Sequence, residues 1–304
     1  MKVALILLTL NAAEALEELL PAIQAQTRPA DTFLAVDSSS SDGTCGRLEE
    51  ARAHIIRITR ADFNHGRTRQ LAVDALPGAD VFLFLTQDAV PEGPDAFGAL
   101  LASFEDDRVG AAYGRQLPRK GAGPIEAHAR LFNYPDRGRI KTLQDVSELG
   151  IKAAFISNSF AAYRREALAE AGGFPGDVIF GEDTCVAARM LLQGWKVAYC
   201  AEARVYHSHA HSVSGEFGRY FDIGVLHARQ PWIQREFGTA AGEGLRYVAS
   251  ELKYLLETGP ASIPFAVFRD ALKIGAYRLG LLEASIPVWF KRRLSVNDTF
   301  WRSL

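Results

Sequence analysis

Three short apolar runs, separated by segments of helical periodicity, constrain this chain more than any other feature. Val3 to Leu8, Thr32 to Asp37 and Val81 to Leu85 are continuous rather than alternating. Strands buried on both faces read this way. His54 to Ile58 supplies a further short strand, and Ala12 to Gln26, Arg47 to Ala53 and Thr68 to Leu76 lie between with helical spacing, the last stopping at Pro77-Gly78. Strand and helix in alternation predict an α/β fold, a mostly parallel sheet with helices on both faces.

The second half is less regular. Residues 114–150, rich in Gly, Pro and charge, are expected to run as a long excursion over a sheet edge. Phe155 to Tyr163 is expected to return as a strand, followed by a helix from Arg165 to Ala171 and a turn at Gly172-Gly173-Phe174-Pro175. A helix over Thr184 to Gln193 and strands over Lys196 to Cys200 and Arg204 to His209 follow, and from Phe217 the pattern is helical. The organisation expected is one α/β domain over 1–225 and a helical extension over 226–304.

Composition excludes several classes. With 34 Lys+Arg against 36 Asp+Glu, the net charge of −2 does not suit a duplex-binding protein, and the 48% apolar share does not suit disorder, so no nucleic-acid partner is expected. Cys45, Cys185 and Cys200 form no CxxC pair, which fits a reduced, cytosolic setting. Lys2 before an apolar run imitates a signal peptide, but Asn11, Glu14, Glu17 and Glu18 follow without a cleavage site, so a buried first strand is expected. No run of about 18 apolar residues occurs, so no membrane span is expected. Residues 261–304 carry seven basic residues against three acids, interleaved with Phe265, Phe268, Trp289 and Phe290. Such helices suit a membrane interface such as the inner face of the plasma membrane, or a cap on the domain, or a homodimer contact.

Four segments with acids or histidines fall where strands should end, which is where ligands bind in open α/β sheets. Asp37 and Asp42 follow the second strand. A carboxylate there accepts from a base imide or a ribose hydroxyl, or else forms a turn that caps the next helix. Thr86-Gln87-Asp88 is placed to hold a divalent cation against a diphosphate, or to cap a turn. Gly181-Glu182-Asp183 precedes a helix, so its acids either complement the helix dipole or supply a general base. In His207-Ser208-His209-Ala210-His211 three imidazoles share one face of an extended chain; one of them joining Asp88 on Mg²⁺ or Mn²⁺ is preferred over surface histidines. GxGxxG at the first strand turn, GxxxxGK[ST], GxSxG and HExxH are all missing, which disfavours a dehydrogenase, a P-loop ATPase, an α/β-hydrolase and a zincin.

The ordered set Asp37-x4-Asp42-Gly43-Thr44, Gln87-Asp88 and Gly181-Glu182-Asp183 resembles the GT-A-fold, family 2 inverting glycosyltransferases over about residues 1–225. Asp62-Phe63-Asn64-His65-Gly66-Arg67-Thr68-Arg69 is similar to the FNHG…TR segment of bacterial rhamnosyltransferases that use dTDP-L-rhamnose in cell-surface polysaccharide assembly. The resemblance implies that Asp37 contacts the base and that Asp42 supports its loop or the ribose. It implies that Asn64, His65, Arg69 and Gln87 line the donor site. Asp88 and His207 would hold Mg²⁺ or Mn²⁺, Asp183 would be the base with Glu182 beside it, and Asn158 and Ser159 would meet the sugar or acceptor. The acceptor implied is a growing glycan or a lipid-linked one. One departure stands out: the first acid of the family's DxD is Thr86 here, so the cation would lean on waters and substrate phosphates.

Overall fold

The structure, a computed structural model, describes residues 1–207, 212–239 and 241–302. β1 (Val3–Thr9), α1 (Ala13–Gln24), β2 (Thr32–Asp37), α2 (Thr44–Glu50), β3 (His54–Arg57), α3 (His65–Asp74) and β4 (Val81–Thr86) follow the expected alternation. β5 (Val90–Pro91), α4 (Ala96–Ala102), β6 (Val109–Leu117), α5 (Pro124–Asn133), β7 (Arg139–Lys141) and α6 (Val146–Leu149) come next. β8 (Phe160–Arg164), α7 (Arg165–Glu170), α8 (Glu182–Leu192) and β9 (Lys196–Tyr206) complete the sheet.

The strand order is β3-β2-β1-β4-β8-β6-β9-β5, with β7 also on β9. β3, β2, β1 and β4 are mutually parallel, as are β6 and β9, while β8 runs antiparallel between the two groups. β1 is buried on both faces, as its unbroken apolar run predicts. Leu5, Leu7, Leu16 and Phe97 fill one face of the sheet, and Phe82, Phe84, Tyr163 and Phe174 the other.

Three expectations need correction. The segment 114–150 is not only an excursion: its start belongs to β6, in the middle of the sheet. The small residues Gly110, Ala111, Ala112 and Gly114 hide that strand, since strand patterns are read from branched and aromatic side chains. Phe155 to Ser159 stay outside the sheet, and β8 begins at Phe160. The two strands expected at 196–200 and 204–209 are one, β9, whose register against β6 jumps between Gly114 and Arg115 so that a bulge absorbs the polar middle. His209 and His211 lie outside the described residues.

α9 (Val213–Arg229), α10 (Pro231–Phe237), α11 (Ala241–Thr258), α12 (Ile263–Leu281), α13 (Val288–Leu294) and α14 (Asp298–Arg302) follow. α9 passes without a break through residue 225, where the domain boundary is expected, and gathers Ile179, Ala276, Phe300 and Trp301 around Phe221 and Val225. Among the described residues no helix is long and apolar enough to cross a membrane.

Candidate active site

β1, β2 and β4 end level: Thr9 stands beside Asp37, and Leu8 beside Thr86. The loops after them therefore open on one rim, and a cavity of about 770 Å³ lies there. Ser38, Arg60, Phe63 and Gln87 border it from the first half of the chain; Ser159, Glu182, Asp183 and Arg219 border it from the second.

Asp183 stands at the start of α8, beneath the cavity. Its carboxylate accepts from the backbone N–H of Asn158 (3.2 Å) and of Thr184 (2.7 Å). Burial, with the neighbouring Glu182 charge, raises its pKa from 3.8 to about 6. Gly181 makes the entry: its φ of +77° is left-handed, and a Cβ would stand 2.7 Å from the Leu226 side chain, so only glycine turns the chain here.

Glu182 points away into a buried lattice. Its Oε1 meets Arg69 Nη1 at 2.8 Å and accepts from Asn158 Nδ2 at 3.0 Å, while Tyr163 donates to Asn158 Oδ1 at 2.7 Å. Burial pushes the Glu182 pKa up, but Arg69 and His65 outweigh it, and the net direction is down. Two adjacent acids are thus driven apart: Glu182 is held ionised by a partner, and Asp183 is left to titrate.

Elsewhere on the cavity lining, His207 Nε2 and Asp88 Oδ1 stand 3.4 Å apart, with Ser159 Oγ 3.5 Å from the same nitrogen. Behind them Gln116 Oε1 accepts from Arg130 Nη1 at 2.7 Å and lies 2.8 Å from His207 Nδ1. A guanidinium only donates, which fixes that Gln116 atom as oxygen. Oxygen only accepts, so Nδ1 of His207 carries the hydrogen and Nε2 turns toward Asp88. In neutral imidazole that nitrogen is a lone pair facing a carboxylate, an arrangement suited to a cation between them. Among the described residues no three His, Cys, Asp or Glu converge as a metal cage; Asp88 and His207 are the acid and imidazole that meet at the cavity. Among the described residues, Thr86 Oγ1 and Arg130 Nε, both at the cavity, are buried with no hydrogen-bond partner, leaving polar groups for a ligand.

Not every candidate reaches the cavity with its side chain. Asp37 is buried behind the rim and accepts from Thr9 Oγ1 (3.0 Å) and Ser40 N–H (2.9 Å), so it shapes the loop that presents Ser38. Asp42 is exposed and caps the start of α2 through Thr44, while also accepting from Ala13 N–H. Asn64 is the N-cap of α3, accepting from Gly66 and Arg67 N–H. These three do the bland work of turns and caps, which local backbone geometry rewards. The glycine of that segment, Gly66, lets α3 press on the next loop, since a Cβ would stand 1.8 Å from Pro175 O. Asn158 lines the cavity, but its amide is engaged by Glu182 and Tyr163. Gln87 lies at the rim and clasps the backbone of Leu10 in both directions. His65 lines the cavity beside Arg69, and burial holds its pKa below 6.5.

Sequence reasoning missed Gln116, Arg130 and Arg219. Gln116 lies 91 positions from His207, so no local pattern announces the contact. Arg219 faces the cavity from α9 with its guanidinium 4.8 Å over Phe180.

A parallel ledge of strand ends, an adjoining antiparallel strand and a cavity between acid-bearing loops define a GT-A-type glycosyltransferase fold. The chain superposes on a mannosyltransferase from Pyrobaculum calidifontis, solved with GDP-Man and Mn²⁺, with a TM-score of 0.58 at 19% identity over 99% of this chain and 85% of that one. S. aureus TarS 1–349 in complex with UDP-GlcNAc gives 0.53 at 15% identity, over 94% and 92%. The family model for glycosyl transferase family 2 matches residues 4–172, and the chain belongs to that family. It is 45% identical over 305 residues to the O-antigen chain rhamnosyltransferase RfbN of Salmonella typhimurium (strain LT2), covering 100% of this chain and 97% of that one. The O-antigen chain rhamnosyltransferase WbaN of Salmonella anatum is 44% identical over 301 residues, covering 99% and 96%. The family expected from the acid-bearing loops is the one found.

Proposed function

We propose that this glycosyltransferase moves L-rhamnose from dTDP-β-L-rhamnose onto a hydroxyl of a growing cell-surface glycan, with inversion at the anomeric carbon. One observation carries the reading: a buried carboxylate that titrates near 6, Asp183, shares a cavity with the Asp88–His207 pair and the basic residues Arg60, Arg130 and Arg219. Proton removal and diphosphate stabilisation are the two demands of the reaction, and different side chains of the cavity suit each. The relatives named as rhamnosyltransferases supply the sugar.

In this reading Asp183 takes the proton of the acceptor hydroxyl as its oxygen attacks the anomeric carbon. The bond to the diphosphate breaks on the opposite side, through an oxocarbenium-like transition state. Negative charge gathers on the leaving phosphate, where Arg219 and Arg130 are preorganised to meet it. Ser38, Arg60 and Phe63 border the nucleoside end, and Ser159 borders the sugar. Asp88 and His207 would hold Mg²⁺ or Mn²⁺, which supplies further charge neutralisation at the diphosphate when bound. The donor set fits: one carboxylate and one imidazole, with phosphate oxygens completing the shell.

Thermal shift with dTDP, UDP and GDP at matched Mn²⁺ tests the donor. We expect dTDP to raise Tm most, since stabilisation follows RT ln(1 + [L]/Kd), about 2.7 kcal/mol at 100 times Kd. A larger shift with UDP or GDP would overturn the dTDP assignment.

Gln116 positions His207, and its removal tests the tautomer argument. Gln116→Leu is expected to release the Nδ1 hydrogen, visible as a changed tautomer in the ¹⁵N spectrum of the His207 ring, and to weaken Mn²⁺ binding about 10–100-fold by electron paramagnetic resonance. An unaltered ring spectrum with unaltered Mn²⁺ affinity would remove Gln116 from this role.

A further inference from the structure

α12 is folded inside out. Along it and its C-cap, Pro264, Val267, Phe268, Ala271, Ile274, Gly275, Arg278, Leu281 and Leu282 are exposed, and their spacing of three and four places them on one face. Arg278 is the single charged residue in that set. Phe268 is 53% exposed, Ile274 50% and Leu282 63%. The opposite face holds the charges: Arg269 pairs with Glu216 of α9 at 2.7 Å, and Lys273 lies 3.3 Å from Glu216 and 3.1 Å from Asp270, with Asp270 and Lys273 both buried. A helix resting on a protein in water normally shows the reverse polarity. Paired ions on the inner face have fixed the orientation, and the apolar stripe is turned outward.

α13 continues the theme. Val288, Trp289 (62% exposed) and Phe290 are exposed, while Lys291 is buried against Glu283. Between residues 261 and 297 the acids are Asp270 and Glu283, and both are buried. The exposed charges there are Arg278, Arg292 and Arg293, of which Arg292 pairs with Asp298. Arg278 and Arg293 have no carboxylate partner among the described residues, and Arg293 stacks over Trp289 at 5.5 Å. An outward surface of aromatics and aliphatics with arginines and no exposed carboxylate matches an anionic lipid interface. A second copy of the same face would set arginines against arginines with nothing to neutralise them.

We infer that α12 and α13 lie in the surface of an anionic membrane, holding the enzyme on the bilayer rather than through it. The contact also bears on the acceptor. α12 packs along α9, and α9 contributes Arg219, Ile223 and Leu226 to the cavity, so the lipid-facing stripe and the active site are separated by one helix layer, about 10 Å. A lipid-linked glycan suits that placement. This last step rests on the proposed transfer reaction; the membrane contact itself does not.

Flotation of the full-length protein with vesicles decides the matter. We expect flotation with phosphatidylcholine–phosphatidylglycerol vesicles, little with phosphatidylcholine alone, and weakening with added salt. Phe268→Glu combined with Ile274→Glu should abolish it with Tm and dTDP binding unchanged, because both positions are exposed. Arg278→Glu and Arg293→Glu should each cost about fivefold or more in affinity for anionic vesicles. Three results would overturn the inference: no flotation of the wild type, equal flotation of the double glutamate variant, or a wild-type dimer that this variant splits. Loss of dTDP binding by the wild type, with flotation intact, would instead count against the transfer reaction alone.

Discussion

Asp183→Asn is expected to lower the rate of sugar transfer by about 10²–10⁴-fold, the usual cost of removing a positioned general base. Donor binding should survive, since the proposed donor contacts are Arg60, Arg130, Arg219 and the Asp88–His207 pair rather than Asp183. The fold should survive too. The substituted amide keeps an oxygen for the Thr184 N–H, which the carboxylate accepts at 2.7 Å, and removes a buried charge next to Glu182, at the cost of the longer 3.2 Å bond from Asn158 N–H. The pH dependence follows from the raised pKa. Asp183 must be ionised to act, so wild-type transfer should rise with pH through about 6 and level off above 7, a step the variant lacks. Stability has the opposite sign. A carboxyl whose folded pKa lies above its unfolded value favours folding at low pH, and that contribution is lost as pH rises from 3.8 through about 6. The wild type should therefore lose stability over that window relative to Asp183→Asn. Transfer by the variant at near wild-type rate would remove Asp183 from the base role.

The parallel half of the sheet was legible because buried strands leave an unbroken apolar signature, as in Val3 to Leu8 and Val81 to Leu85. Their ends were legible for the same reason, and with them the position of Asp88; the Gly181-Glu182-Asp183 turn instead follows the loop after α7, with no strand before it. β6 was not, since Gly and Ala carry little strand signal even at the centre of a sheet. Among the candidate residues, position along the chain was readable while the direction of each side chain was not. Asp37, Asp42 and Asn64 stand at or near the ends of elements beside the cavity, yet their oxygens serve nearby backbone N–H and hydroxyl groups. A short acid or amide near a helix start always has that local option. Gln116, Arg130 and the inverted polarity of α12 depend on contacts between distant segments, which a single chain pattern does not encode. The basic, aromatic composition of residues 261–304 hinted at the surface, but only burial shows which residues face out.

Arg69→Met is expected to be the most destabilising single change at the site, through a mechanism the sequence did not indicate. Arg69 lines the cavity, as the rhamnosyltransferase resemblance implies. Its guanidinium, however, is committed to Glu182 at 2.8 Å and donates to the His65 carbonyl at 3.1 Å, with side-chain exposures of 6% for Arg69 and 5% for Glu182. The pair ties α3 to α8 and, through Asn158, to the strand carrying Tyr163. Removing one partner leaves the other buried and uncompensated, a loss of about 3–5 kcal/mol. At about 2–4 °C per kcal/mol for large domains, Tm should fall by roughly 10 °C. The pH dependence separates this from a packing defect. In the wild type Glu182 has a lowered pKa, so its contribution is present above its unfolded pKa and lost as pH falls. Without Arg69, burial is opposed only by the Asn158 amide, His65 and a backbone N–H, so the Glu182 pKa rises and the folded state loses stability as pH rises. The difference in Tm between wild type and variant should thus widen as pH rises above the ordinary glutamate value of 4.5. Adding Glu182→Leu to Arg69→Met should recover part of the loss, because no buried charge then remains. A Tm difference that is small and independent of pH would show that the pair contributes little to the integrity of the site.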